Sequence, residues 1–277
     1  MVADATVTPS DFQYVRVLVR EGSGLALADG KEYLVAARLG PMLRREGLRS
    51  VSELLGQVRQ GSAGLRDEIV EAMATNETSF FRDVRPFDFL RDEIIPALAR
   101  ERPASGLRFW SAAASTGQEA FSLAMLLREH FPRINPVSIL ASDVGRDVLA
   151  AAEAASFSQL EVNRGLPAAL LVRYFRRQGL RWEVTEPVRA MVTFRQINLA
   201  RPLPAMPAMD VVFLRNVLIY FDEPTKAEVL TRVAGAMRPG GYLILGSAET
   251  LRHLDDRYER VQTDRTVCYR LRERADT

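Results

Sequence analysis

The sequence predicts an α/β protein: a doubly wound, mainly parallel sheet with a small all-helical N-terminal domain and a small antiparallel β flap inserted in the sheet domain. Three observations carry this reading. From Leu107 onward, short apolar runs alternate with helix-periodic stretches, the pattern of a parallel sheet covered on both faces. The first 75 residues show helical periodicity alone. Residues 174–194 interrupt the alternation with short two-residue-period pieces and turn residues at Gly179 and Pro187, which predicts antiparallel strands. The domains are therefore set at 1–75, a linker at 76–100, and the sheet domain at 101–277 with its flap at about 174–194.

In the first domain helices are expected over 12–21, 31–38, 41–46, 51–60 and 64–74. Gly40-Pro41 should break or kink the second, because proline inside a helix costs about 3 kcal/mol. Gly47 is placed to stop the following piece, and Ser50 with Glu53 resembles a capping box. The linker carries Phe80, Phe81, Phe87, Phe89 and Leu90 and should be packed. Strands are expected at 107–110, 137–143, 192–197, 210–214, 241–245 and 266–271. A helix over 225–237 should end in a turn at Arg238-Pro239-Gly240-Gly241.

Composition narrows the function classes. The 277 residues are 47% hydrophobic and 26% charged, which describes an ordinary globular protein. No apolar run reaches the roughly 20 residues of a membrane span, and the N-terminus lacks the order of a secretion signal. A single cysteine, Cys268, excludes an internal disulfide and a cysteine-built metal site; a buried strand position and the cytoplasm are expected. The net charge of +2 is too small to argue for nucleic acid. Its distribution is uneven, with seven basic against three acidic residues between Lys31 and Arg66. Lys31, Arg38 and Arg45 recur every seven residues with Arg44 alongside, which suits an acidic partner, although a solvated face accounts for the charge equally well.

The richest segment is Ser111-Ala-Ala-Ala-Ser-Thr-Gly-Gln-Glu119, between an apolar strand and an amphipathic helix. Its small side chains let backbone amides approach a ligand at the carboxyl ends of the strands. Asp143 ends the next strand, where a carboxylate can accept both hydroxyl protons of a ribose. The dinucleotide fingerprint and the phosphate loop are both missing. Glu119 at the helix start disfavours phosphates and suits an amine. S-adenosylmethionine has a ribose, an amine and a sulfonium, and no phosphate.

Four segments then match a known family: 76–82 (Asn-Glu-Thr-Ser-Phe-Phe-Arg), 110–119, Ala141-Ser-Asp143, and 213–222 (Phe-Leu-Arg-Asn-Val-Leu-Ile-Tyr-Phe-Asp). The chain resembles the CheR-type chemotaxis receptor methyltransferases, and Phe12, Arg16, Gly24, Lys31, Leu34, Arg38 and Leu39 are similar to that family's helical domain. The resemblance implies a class I, Rossmann-like fold and S-adenosylmethionine-dependent methylation of glutamate carboxylates on the helical bundle of chemoreceptors. By residue it implies that Asn76, Thr78 and Arg82 hold the methionine carboxylate, Glu119 the amino group and Asp143 the ribose. It places Asn198 and Leu199 at the adenine, and main chain of Leu214 and Arg215, followed by Asn216, near the sulfonium. Arg82 and Tyr220 stand as the catalytic pair, with Tyr220 beside the methyl group or the incoming glutamate; Arg38, Arg44 and Arg45 would recognise the receptor. Gln118 departs from the family's pattern, standing where relatives often have a second acid. The flap looks shorter than in members that dock a receptor tail, so no C-terminal pentapeptide should be needed.

The chemistry agrees with a chain poor in bases. A glutamate side chain is already ionised at neutral pH, so no general base is required. His130 and His253 read as structural, the first ending a helix and the second in a loop. No metal is expected, nor membrane insertion, and the protein reads as a monomer. A cofactor-sensing scaffold, a small-molecule O-methyltransferase and a nucleic-acid methyltransferase are the rival readings. Retention of Arg82, Asp143 and Tyr220 weighs against the first, the basic N-terminal domain against the second, and the small net charge against the third.

Overall fold

The computed structural model describes residues 6–102, 106–134, 136–251, 254–262 and 266–273; His253 lies outside them. Helices α1 (Pro9–Ser23), α2 (Glu32–Glu46), α3 (Val51–Arg59) and α4 (Ala63–Ala72) come first. Their apolar stripes, including Phe12, Val15, Leu39, Leu43, Leu55 and Ile69, close into one core. Thr8 accepts the Asp11 amide to start α1, and Gly24 ends it in the left-handed region. Ser50 caps α3 through the Glu53 amide, while the Glu53 carboxylate reaches back to the amide of Arg49 and not of Ser50.

Contrary to the expected break, α2 runs through Gly40-Pro41 without interruption. Pro41 lies on the exposed side, whereas Leu39, Met42 and Leu43 are buried. Packing of that stripe outweighs the one amide bond that proline removes. Lys31, Arg38 and Arg45 therefore do share a helix, Lys31 as its N-cap.

The linker is ordered as α5 (Arg85–Phe89), a π turn at Leu90–Ile94 and α6 (Ile95–Glu101). The sheet domain continues with β1 (Leu107–Ala112), α7 (Gln118–His130), β2 (Val137–Asp143) and α8 (Arg146–Ala154). Flap elements follow: β3 (Ser156–Ser158), α9 (Gln159–Asn163), α10 (Ala168–Tyr174), β4 (Phe175–Gln178), β5 (Arg181–Val184) and α11 (Glu186–Arg189). The chain returns through β6 (Val192–Gln196), β7 (Met209–Leu214), a 3-10 turn at Leu218–Tyr220 and α12 (Glu223–Gly235). It ends in β8 (Met237–Leu245), β9 (Tyr258–Gln262) and β10 (Val267–Leu271).

Seven strands pair in the order β6-β2-β1-β7-β8-β10-β9, and β3-β5-β4 form a separate sheet. The first five are parallel, and β10 pairs antiparallel with both β8 and β9. Because β1 lies between β2 and β7, the strand order reverses beside it, and a crevice opens at the carboxyl ends. One core fills each face of the sheet. Cys268 is buried on β10 as expected, and burial pushes its thiol up to about 12.

Three expectations need correction. Arg238-Pro239-Gly240-Gly241 is not a turn but part of β8; pairing moves from Met209 with Met237 to Val211 with Tyr242, so the extra residues bulge out. A bulge tolerates the missing proline amide and the positive φ of Gly240. The flap takes a third strand from 156–158, and residues 192–196 belong to the main sheet. Pro187 is not in a turn between flap strands but in the first turn of α11, where its missing amide costs nothing. The short strands β3 and β9 carry too little periodicity to be seen in sequence.

Phe80 joins linker and flap. It is fully buried and meets Phe157 and Phe175 edge-on with centroids 5.1 and 5.7 Å away. The backbone already packs closely there, where a Cβ on Gly165 would come within 2.1 Å of the Phe80 carbonyl oxygen. Phe80→Ala should therefore cost about 3–5 kcal/mol, read as a lowered urea midpoint at unchanged slope; a loss under about 1 kcal/mol would contradict this packing.

Candidate functional site

A pocket of about 820 Å³, its open mouth included, lies at the carboxyl ends of β1, β2 and β7. Asn76, Thr78, Arg82, Glu119, Asp143, Asn198, Leu199, Arg215, Asn216 and Tyr220 all line it. Leu214 does not, because its side chain is fully buried in the core, and only its main chain faces that end of β7. The lining comes from the helical domain as well, through Ser23 and Leu25.

The loop after β1 is built by backbone geometry. Ala113 and Ser115 hold positive φ, and Gly117 reaches +90° as the N-cap of α7. A Cβ on Gly117 would also press on Ala152, Phe121 and Phe194 at 3.1–3.3 Å. This conformation aims the Ser115 amide at the Asp143 carboxylate, 2.9 Å away, and the Ser115 hydroxyl at the Asn76 carbonyl, 2.8 Å away. The linker is thus tied to the loop.

Asp143 is buried, with its other oxygen accepting the Gly145 amide at 3.0 Å. Burial pushes its pKa above the ordinary value of 3.8, against the backbone hydrogen bonds that lower it. No cation pairs with it among the described residues, so each oxygen keeps a lone pair for a ligand.

Glu119 is not a lone acid. Its Oε1 accepts the Ser111 hydroxyl at 2.7 Å and its Oε2 accepts Arg215 Nη1 at 2.8 Å. Arg215 Nη2 donates to the Arg82 carbonyl and to Asp83 at 2.8 and 2.7 Å. The guanidinium of Arg215 is thus a junction of β7, α7 and the linker. Sequence reasoning gave Arg215 a main-chain role only; a buried arginine between two acids distant in sequence leaves no local signal. Its Nε is buried without a partner among the described residues.

Asn198 lines the pocket while its amide donates to the Gly22 carbonyl at 2.5 Å, and its Oδ1 accepts the Ala200 amide. Arg82 donates to the Glu77 carbonyl at 3.1 Å and meets no carboxylate among the described residues. Asn76 and Thr78 are not helix caps: α4 ends with Met73 as its C-cap, and α5 starts after Val84.

The three arginines of α2 separate. Arg38 donates to the carbonyls of Met73 and Ala74 and to the Thr75 hydroxyl. Burial lowers its pKa, and the charge interaction with Tyr220 opposes this. Arg45 pairs with Glu46 and Glu68. Arg44 is exposed and has no ion pair among the described residues.

Comparison with known proteins decides the family. Residues 76–267 match the SAM binding domain of CheR methyltransferase, and residues 10–74 match its all-alpha domain. The chain belongs to the CheR methyltransferase family. It is 39% identical over 270 residues to chemotaxis protein methyltransferase 1 of Pseudomonas aeruginosa, covering 95% of this chain and 98% of that one. It is 38% identical to chemotaxis protein methyltransferase Cher2 of Pseudomonas putida, with the same coverage. With the chemotaxis protein methyltransferase of Vibrio parahaemolyticus the identity is 37% over 274 residues, 96% of this chain and 98% of that one. This CheR chain is a methyltransferase of chemotaxis, and S-adenosylmethionine is its cofactor. The pocket fits that group: a ribose acceptor at Asp143, a carboxylate-shaped cation at Arg82, and spare acceptor capacity on Glu119. Among the described residues, no helix is long and apolar enough to cross a membrane.

Burial ranks the two acids on Arg215. Side-chain exposure is 11% for Glu119 and 38% for Asp83. Glu119→Ala leaves a buried charge half-paired and should cost about 3 kcal/mol, whereas Asp83→Ala should cost under about 1 kcal/mol. Denaturant melts of both variants check the order, and the reverse ranking would refute the junction.

Proposed function

We propose that the protein transfers the methyl group of S-adenosylmethionine to glutamate side chains on the cytoplasmic helical bundle of chemoreceptors, giving glutamate methyl esters and S-adenosylhomocysteine. One observation carries the reading: Arg82 and Asp143, neither with an ion-pair partner among the described residues, line one pocket with Tyr220, the first from the linker and the second from the end of β2. Arg82 would pair with the methionine carboxylate, with Asn76 and Thr78 beside it, because a guanidinium fork matches a carboxylate. Glu119 would take the amino group and Asp143 the ribose hydroxyls. Asn198 and Leu199 would frame the adenine, with main chain of Leu214 and Arg215 and the Asn216 turn near the sulfur.

The cofactor, when bound, would supply a methyl group activated on a sulfonium for a carboxylate oxygen to accept, with the neutral sulfide as the leaving group. No proton moves, because the nucleophile is ionised at neutral pH. Tyr220 and Arg82 serve by holding the reacting atoms in line and excluding water, at about 3–3.5 Å separation. Receptor recognition is assigned to the N-terminal helices. Arg44 is exposed and without an ion pair among the described residues, while Arg38 is engaged by the carbonyl of Ala74 and Arg45 by Glu68 of α4.

The flap is assigned no tail-binding role. The turn between β4 and β5 is only Gly179-Leu180, with Gly179 in the left-handed region.

Asp143→Ala should weaken binding of both cofactor and product by about 1.5–3 kcal/mol, roughly 10- to 100-fold. Protonation removes the acceptor, so wild-type affinity should decline as pH falls through a pKa that burial holds above 3.8. The variant should lack that step, and calorimetry at neutral and mildly acidic pH reads both effects. Unchanged affinity in the variant would remove Asp143 from the site.

Labelled methyl groups should pass to receptor membranes and not to RNA or a metabolite extract. Mild alkali should release the label as methanol, and a tail-deleted receptor should be methylated as fast as the full one. Alkali-stable label would exclude an ester, and loss of transfer on the tail-deleted receptor would overturn the reading of the flap.

A further inference from the structure

Beyond the pocket, one side chain controls the turn that carries Tyr220. After Leu214 the chain leaves β7, Asn216 adopts a φ of +57°, and the 3-10 turn Leu218–Tyr220 follows. The amides of this crossing belong to no helix or strand ladder. A single carboxylate, Glu249 in the loop after β8, gathers them. Its Oε2 accepts the Asn216 amide at 2.8 Å, and its Oε1 accepts the amides of Val217 at 2.9 Å and Ile219 at 3.3 Å. Its own loop adds the Gly246 amide at 2.8 Å. No cation pairs with Glu249 among the described residues, so four backbone dipoles are what stabilise its charge.

The approach is close enough to exclude a side chain at 246. A Cβ on Gly246 would lie 2.7 Å from Asn216 Nδ2, 2.8 Å from Glu249 Oε2 and 2.9 Å from the Asn216 nitrogen. Two adjacent β-strand ends, β7 and β8, are thereby locked together at the one point where the chain turns toward the pocket rim. The other support of the turn lies on its far side, where the Ala26 amide donates to the Tyr220 carbonyl at 2.8 Å.

We infer that Glu249 is a positioning residue for methyl transfer: it orders the backbone of 216–219 and so fixes Tyr220 over the reacting atoms. This rests on the role proposed for Tyr220. Asp143, Arg82 and Glu119 are held by other contacts. Of the proposed cofactor contacts only the Asn216 turn rests on Glu249, so the signature is a fall in kcat much larger than any loss of cofactor affinity.

The test uses the full chain with three variants. Glu249→Gln keeps the shape but turns one acceptor toward the amides as a donor, Glu249→Ala removes both acceptors, and Glu249→Asp keeps the charge on a shorter stem. In Glu249→Gln and Glu249→Ala, kcat on receptor membranes should fall at least tenfold while the S-adenosylhomocysteine dissociation constant changes less than threefold. Amide exchange of Val217 and Ile219 should accelerate, and Glu249→Asp should recover part of both kcat and protection. A kcat within twofold of wild type in Glu249→Ala, or unaltered exchange at Val217 and Ile219, would overturn the inference. Wild-type protein that binds cofactor yet methylates no receptor would instead refute the functional reading, and the exchange rates would still decide whether Glu249 orders the turn.

Discussion

The pocket depends on one buried guanidinium. The Arg215 side chain is 2% exposed, and a charge so placed needs carboxylate partners to offset its desolvation. Its partners come from separate places: Glu119 opens α7, while Asp83 and the Arg82 carbonyl belong to the linker. The linker is thereby pulled over the sheet ends, which brings Asn76, Thr78 and Arg82 to the same cavity as Asp143. The backbone carries a cost for this. Phe81, Asp83, Val84, Ala113, Ser115 and Asn216 all have positive φ without being glycine, at about 1–3 kcal/mol for a strained residue. Six of the seven such residues lie at the pocket or its linker, so the strain is concentrated where the ligand binds.

The seam between the helical and sheet portions is part of the same pocket. Asn198 and Arg201 bond the carbonyls of Gly22 and Glu21 at the end of α1, and Leu25 forms a bridge with Phe221. Gly24 fits there for two reasons: its φ is +75°, and a Cβ would fall 2.7 Å from Ala200. Arg20 with Asp222 and Arg146 with Glu71 add ion pairs across the seam. These are partly exposed and worth little singly. The side-chain bonds to the carbonyls at the end of α1 and the glycine fit define the geometry. A ligand seated against Leu25, Asn198 and Leu199 therefore touches both portions at once.

Much of this was legible in the sequence, because its signals are local. Strand β2 was read at its true bounds from an apolar run ending in Asp143, and the small-residue loop marked the carboxyl end of β1. The pocket residues were legible through short contiguous motifs. What was missed depends on contacts distant in sequence. Nothing around Arg215 reveals that its partners are Glu119 and Asp83, nor does the stretch around Glu249 reveal that it serves residues 216–219. Pro41 and Arg238-Pro239-Gly240-Gly241 misled for a related reason. A breaker costs a fixed local amount, and tertiary burial of Leu39, Leu43 and the β7–β8 pairing exceeds it.

Charge placement explains how such a pocket can accept an anionic nucleophile. Of its lining acids, Glu119 is paired with Arg215 and Glu77 with Arg164, which leaves Asp143 unpaired at the end of β2 among the described residues. Of its cations, Arg215 is consumed, which leaves Arg82 facing the cavity from the linker. In the proposed binding mode Arg82 would meet the ligand carboxylate and Asp143 its hydroxyls. With Arg82 so paired, neither group would attract a second carboxylate. The attraction for the glutamate proposed as acceptor would then come from the ligand's own positive sulfur. Loss of the methyl group would leave that sulfur neutral and end the attraction, so the arrangement proposed to draw the nucleophile in would also let the neutral ester go.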